Sequence, residues 1–328
     1  MMTPAGRSRR NKLPPRLVLA FGCVAAMAAC PTWTRALAAR EEAASKRSNV
    51  LLIVSEDNGP HLGCYGDRYV ETPHLDRLAA EGVRFERAFV ATASCSESRS
   101  SILTGLYPHQ NGQIGLATHR YSLYPGVANM PGLLKREGYR TGILGKLHVN
   151  PESAFPFDFR WNDRAFCSFA NRDVGKIAEV AGRFITASEE PFFLMVNFPD
   201  AHLPWLAQEN GLPEAPLEAD DVRPPSFVGI DTPRLRQDAA DYYNCIRRLD
   251  AGVGMLLDRL TDAGAGDDTL VIYLADHGAQ FARGKLTCYE SGLQVPMIVR
   301  WPGVAKGGSV RRELVATVKP TVILTPNQ

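Results

Sequence analysis

Past its first thirty residues this 328-residue chain has no apolar run long enough to cross a bilayer. It has no internal repeat and no low-complexity tract, which excludes solenoids, propellers and fibrous arrays. It also lacks a charge excess: 37 Lys and Arg face 35 Asp and Glu, a formal net charge of +2. Residues 1–39 carry Arg7, Arg9, Arg10, Lys12, Arg16 and Arg35 and no acid, so removing those six charges turns +2 into −4. A nucleic-acid partner is therefore not expected, and affinity for an anion must come from a local site. Cysteine is scarce as well. Of seven cysteines, Cys23 and Cys30 lie in the first 39 residues, leaving Cys64, Cys95, Cys167, Cys245 and Cys288. Five is odd, so one at least is unpaired, and the spacings form neither a disulfide framework nor a zinc site.

A hydrophobic content of 45% over this length supports one large α/β domain or two smaller ones. Residues 1–39 read as an export signal: a basic start, the apolar run Leu17 to Cys30, and an Ala36-Leu37-Ala38 cleavage site. This predicts a periplasmic or secreted protein whose mature chain has no stable membrane span. Ser8-Arg9-Arg10 loosely fits twin-arginine export and Ala28-Ala29-Cys30 a lipoprotein site; an uncleaved anchor is the alternative.

Continuous β-branched and apolar runs at Asn49 to Ser55, Thr141 to Leu144, Phe192 to Phe198, Thr269 to Ala275 and Val295 to Arg300 predict strands buried on both faces. Thr72-Pro73 opens a helix to Glu81 with Thr72 as its cap, and Asn129 caps another that ends near Gly138. Ala239, Tyr242, Ile246, Leu249, Val253, Leu256 and Leu260 set out a long helix over 235–263. Residues 153–175 read as irregular and 204–234 as a surface excursion. The fold class expected is α/β, a mostly parallel helix-flanked sheet with its site along one edge.

Polar clusters follow four of these strands: Glu56-Asp57, Lys146 with His148, His202, and Asp276-His277. Taken singly, each is an ordinary solvated acid, a surface lysine or a hydrogen-bonded histidine. Together, carboxylates converging at strand ends repel unless a cation joins them, and hard oxygen ligands suit calcium or magnesium better than zinc. Lys146, His148, His202 and Lys285 then read as an anion pocket. Cys95-Ser96-Glu97-Ser98-Arg99 stands where an irregular segment turns into a helix, so Cys95 and Arg99 reach one face of its first turn. A lone cysteine is more often a small buried hydrophobe, and only the surrounding clusters change those odds.

These residues resemble the type I sulfatase family of the alkaline-phosphatase superfamily, whose signature is Cys-x-Pro-Ser/Ala-Arg followed by Leu-Thr-Gly, here Leu103-Thr104-Gly105. The resemblance runs from about Arg47 to Val318. It divides the chain into an export signal (1–39), a catalytic domain (40–318) and a truncated tail (319–328) that stops short of the family's small C-terminal subdomain. It implies that Cys95 is oxidised to formylglycine by a formylglycine-generating maturation enzyme, and that the hydrate attacks the sulfur of a sulfated carbohydrate. It implies a calcium or magnesium ion held by Glu56, Asp57, Asp276, His277 and the modified Cys95. Arg99, Lys146, His202 and Lys285 are then expected to stabilise charge, and His148 or His202 to relay protons. Segments His109-Gln110-Asn111-Gly112, Gly142 to Val149 and Pro156-Phe157-Asp158-Phe159 are most similar to the heparan N-sulfatase branch, which implies N-sulfoglucosamine as substrate. Glu56 stands where the family usually has Asp, and Glu97 where the maturation motif has Pro, whose fixed φ favours an extended segment. The alternatives are a phosphate or phosphonate monoester hydrolase of the same superfamily and an inactive remnant. In a remnant without the subdomain, Val295 to Arg300 is expected to lie exposed.

Overall fold

The computed structural model describes residues 47–318, which lie in one compact unit from Ser48 onward. The stretch expected to be an export signal (1–39) and the expected tail (319–328) fall outside the described residues.

Nine strands form one sheet: β1 (Asn49–Ser55), β2 (Val83–Phe89), β3 (Arg140–Leu144), β4 (Phe159–Trp161), β5 (Phe192–Phe198), β6 (Thr269–Ala275), β7 (Gln294–Val295), β8 (Met297–Arg300) and β9 (Ser309–Ala316). Their order is β4-β3-β5-β1-β6-β8-β2-β7, with β9 pairing β2. From β4 to β6 every pairing is parallel. β8 then runs antiparallel to both β6 and β2.

The central runs lack polar alternation because both sheet faces are covered. Along β1, Leu51 and Ile53 enter one core while Val50, Leu52 and Val54 enter the other. β5 divides likewise, Leu194 and Val196 against Phe193 and Met195. The first core is closed by helices α1 (Pro73–Glu81), α5 (Val174–Ile185) and α6 (Pro233–Asp262). The second is closed by α2 (Cys95–Thr104) and α4 (Met130–Arg136), which follows the short α3 (Pro108–Asn111). The seven apolar positions expected along α6 are all fully buried. Thr232 caps that helix, its hydroxyl accepting from the Leu235 amide, and Asn129 caps α4 through Gly132.

The structure corrects the sequence reading in several places. Thr72 stands at the start of α1 but does not cap it. Its hydroxyl accepts from Gly63 N and donates to Asp76 instead. β2 and β9 carry charged residues between their apolar ones, so no continuous apolar run marks them as strands. β4 forms inside the 153–175 stretch expected to be irregular, and α5 begins at its end. The segment Val295 to Arg300 is not exposed. β8 lies inside the sheet, and Val295, Met297, Ile298 and Val299 are buried. The strand bearing exposed apolar groups is β9, through Val310 and Leu314. All five cysteines of the described region are free, and no helix there is long and apolar enough to cross a membrane.

Candidate active site

β1 and β6 are adjacent and parallel, with Ser55 opposite Ala275, so Glu56-Asp57 and Asp276-His277 leave the sheet side by side. The Asp57 amide donates to Asp276 Oδ1 at 3.1 Å. All four residues are buried. Cys95 opens α2 beneath them with its Sγ 3.3 Å from His277 Nε2. The Ser98 hydroxyl, one turn on, donates to the Asp276 carbonyl.

Arg99 is fully buried and ties four neighbouring strands together. Its Nε donates to Asp276 Oδ2 (3.0 Å), just past β6, and its Nη2 lies 3.6 Å from Glu56 Oε1, just past β1. Its Nη1 donates to Asn197 Oδ1 (2.7 Å) on β5 and to the Lys146 carbonyl (2.8 Å) after β3. Gly145 makes the last contact feasible. It has φ +79°, and a Cβ there would lie 2.5 Å from the Asn197 carbonyl.

The two lysines enter from opposite sides. Lys146 Nζ donates to Glu56 Oε2 at 2.7 Å, and Lys285 Nζ reaches Asp57 Oδ2 at 2.8 Å. Burial works against both ammonium groups, yet Glu56 and Asp57 hold them above the ordinary lysine value. Burial likewise opposes the charge of Asp276, but His277, Arg99 and Lys146 hold it far below the carboxylate range.

The histidines differ in what their nitrogens can do. His202 Nδ1 lies 2.6 Å from the Leu203 carbonyl, which only accepts, so Nδ1 carries the proton and Nε2 faces Asp57 Oδ2 at 4.0 Å. Burial, then Lys146 and Arg99, push His148 down to about 4, so it is neutral at neutral pH. Its Nδ1 is buried without a hydrogen-bond partner. His148 reaches the pocket through a positive φ of 55°, not along the extended segment anticipated for Lys146 and His148.

The donor set fits a hard cation. His277 Nδ1 donates to the Gly278 carbonyl at 3.0 Å, which leaves Nε2 as a lone pair facing Asp57 Oδ1 at 3.3 Å and Asp276 Oδ1 at 3.8 Å. Three acceptors converging in this way need a proton or a cation between them. With a proton alone, burial is overcome by Asp276 and Asp57, and His277 is pushed up to about 9. Ligand atoms of Asp57, Cys95, Asp276 and His277 all lie within 4.8 Å of one another, as do those of Glu56, Asp57 and His202. That is the span of a ligand sphere with bonds of about 2.3–2.6 Å.

A cavity of about 620 Å³ opens onto this cluster, lined by Cys95, Lys146, His148, His202 and Lys285 among others. A larger one, about 690 Å³ and lined by residues such as Tyr124, Lys135 and Pro156, holds no carboxylate, cysteine or histidine. Every site residue expected from sequence thus comes to one place. The chain belongs to the sulfatase family. The family model, described as Sulfatase, matches residues 48–321. Human N-sulphoglucosamine sulphohydrolase is 38% identical over 277 residues, covering 77% of this chain and 55% of that protein. The crystal structure of Ps i-CgsB matches with a TM-score of 0.69 at 23% identity, covering 83% of this chain and 70% of its own. The phosphonate monoester hydrolase of Agrobacterium radiobacter matches with a TM-score of 0.65 at 22% identity, covering 83% and 72%. At these identities the two structures establish the fold alone. The chain spans about half the length of the curated relatives it matches.

Five residues with no sequence motif support this candidate site. Asn197 receives Arg99. Asp200, just past β5, accepts from Arg172 Nη1 (2.7 Å) and from Arg248 Nη2 (2.6 Å) and Nε (3.0 Å), all fully buried. The Asp200 carbonyl accepts the Glu56 amide at 3.0 Å, and the Glu56 carbonyl accepts the Ala201 amide at 2.6 Å. Arg172 Nη2 also donates to the carbonyls of His202 and Pro204. This cluster therefore sets the backbone of both Glu56 and His202. Phe169 stacks on the His202 ring, centroids 3.9 Å apart and planes 7° from parallel.

Proposed function

We propose that this protein hydrolyses a sulfate ester or sulfamate on a sugar, with N-sulfoglucosamine the first candidate, using a nucleophile derived from Cys95. One observation carries the reading. Cys95 and Arg99 on a single helical turn meet three carboxylates, two lysines and His277 at the floor of a cavity. The resemblance to the human N-sulphoglucosamine sulphohydrolase supports the choice of sugar.

Glu56, Asp57, Asp276 and His277 are the residues to hold calcium, with magnesium as the alternative, and Cys95 completes the set once it carries oxygen. A bound cation would neutralise the converging carboxylates, polarise a sulfuryl oxygen and acidify the nucleophile. Oxidation of Cys95 to formylglycine by a maturation enzyme would supply a hydrated aldehyde at this position. Lys146 and Lys285 present ammonium groups to the sulfuryl oxygens, where developing negative charge strengthens the contact. His148 is neutral and offers a hydrogen bond, not a positive charge. His202, with Nδ1–H fixed on Leu203, keeps Nε2 free to hold or release a proton on the leaving-group side. Export to the periplasm or medium belongs to the same reading and rests on residues 1–39.

Co-expression with a formylglycine-generating enzyme, followed by mass spectrometry of the Cys95 peptide, tests the nucleophile. Conversion exchanges sulfur for oxygen with loss of two hydrogens, and the converted protein should release sulfate from N-sulfoglucosamine. A thiol that persists, or converted protein that cleaves phosphonate monoesters but no sulfated sugar, overturns the proposal. Glu97 is buried in the first turn of α2 and accepts from the Ser94 hydroxyl at 2.6 Å. Glu97→Pro should raise the converted fraction.

A further inference from the structure

Charged residues line the cavity beyond the Cys95 cluster as well as beside it. At its floor, positive and negative groups cancel one against one: Arg99 with Asp276, Lys146 with Glu56, Lys285 with Asp57. Farther out, Glu152 lines the wall but is answered by Arg160 at 3.7 Å. Arg164 lines the same cavity, and its exposed guanidinium has neither an ion pair nor a hydrogen bond among the described residues.

The segment that carries Arg164 is held in place. Asp163 caps its own turn, Oδ1 accepting from the Ala165 amide (2.9 Å) and the carbonyl from Phe166 and Cys167. Cys167 bridges to Arg172, and Arg172 is locked onto Asp200. An arginine beside a cavity with its donors unspent is suited to a planar or tetrahedral oxyanion, which it can bind bidentately. Asn162 and Ser168, on the same wall, add neutral donors.

We propose that Arg164 is a specificity residue for a second anionic group on the sugar, a sulfate or a carboxylate, in addition to the group that is cleaved. This rests on the sulfated-sugar reading above. The full chain carrying Cys95→Ala, which cannot turn over, allows binding to be measured by titration calorimetry. Three probes separate the sources of the second charge. N-sulfoglucosamine carries one anion, its 6-O-sulfate adds a second sulfate, and a disaccharide with a uronic acid adds a carboxylate. At least one doubly charged probe should bind about tenfold tighter than the single one, the range of a charge-assisted pair. Adding Arg164→Gln should erase that ratio, Arg164→Lys should keep part of it, and Arg183→Gln, the same charge loss on α5, should leave it intact. Equal binding of all three probes, or a ratio that survives Arg164→Gln, overturns the subsite while the sulfated-sugar reading stands. Binding of none of them overturns both.

Discussion

The Asp200 cluster and the Cys95 cluster stand at the same end of one sheet and both gather buried charges, yet they are balanced differently. Around Asp200, one carboxylate meets two arginines, and the spare guanidinium hydrogens go to the carbonyls of Phe169, His202, Pro204 and Leu206. No polar side-chain atom there lacks a partner. Around Cys95, three carboxylates meet Arg99 and two lysines, Arg99 Nη2 and His148 Nδ1 have no hydrogen-bond partner, and a cavity opens. A saturated cluster has nothing left to offer a ligand and serves as scaffold. An unsaturated one can change partners during a reaction.

That contrast can be broken by substitution. Asp57→Ala, in the open cluster, should lower sulfate release by about a thousandfold or more, as loss of a metal or charge-stabilising group does, while the melting curve stays cooperative. Asp200→Ala, in the closed cluster, leaves two buried guanidinium groups uncompensated and should cost about 3–5 kcal/mol of stability, read from the denaturant midpoint. If Asp200→Ala proves as stable as the parent, the scaffold role is wrong. Calcium sharpens the comparison with a smaller effect. At about a hundred times its Kd it should stabilise the protein by about 2.7 kcal/mol, and Asp276→Ala should abolish that gain while Arg183→Gln keeps it.

Acid gives the mildest probe. Burial would raise the Asp200 carboxyl, but Arg248 and Arg172 hold it below its ordinary 3.8. A depressed carboxylate contributes its full stability above the unfolded value and loses it as pH falls through the folded one. The parent should therefore lose stability progressively below about pH 3.8. Asp200→Asn should flatten that part of the curve, and an unchanged slope would remove Asp200 from the account.

Much of this was legible in sequence because the strands announce themselves. Asn49 to Ser55, Phe192 to Phe198 and Thr269 to Ala275 are unbroken apolar runs, and the residues just past them have to lie at one edge of a parallel sheet. That is enough to bring Glu56, Asp57, Asp276 and His277 together. Asn197, Asp200, Arg172 and Arg248 were illegible because each acquires its role only from a partner distant in the chain. No spacing marks them. β2, Val-Arg-Phe-Glu-Arg-Ala-Phe, hid behind its charges, since Arg84 and Glu86 pair on its surface. α5 could have been found: Val174, Ile177, Ala178, Ala181, Phe184 and Ile185 follow the helical period and are all buried.

Arg99 also draws together distant stretches of the chain. Its partners lie 177, 98 and 47 residues away along the chain. Its charge is compensated only when β3, β5, β1 and β6 stand in register together, so the guanidinium works as a coincidence detector for the sheet. Long loops must close before that state exists, which makes it a late one. Until then Cys95, on the same turn, is open to solvent and to any enzyme that must grasp an extended chain. Afterwards it is 4% exposed. Any enzyme that needs Cys95 in an extended chain, as the proposed maturation does, would have only the time that four distant strands take to find one another.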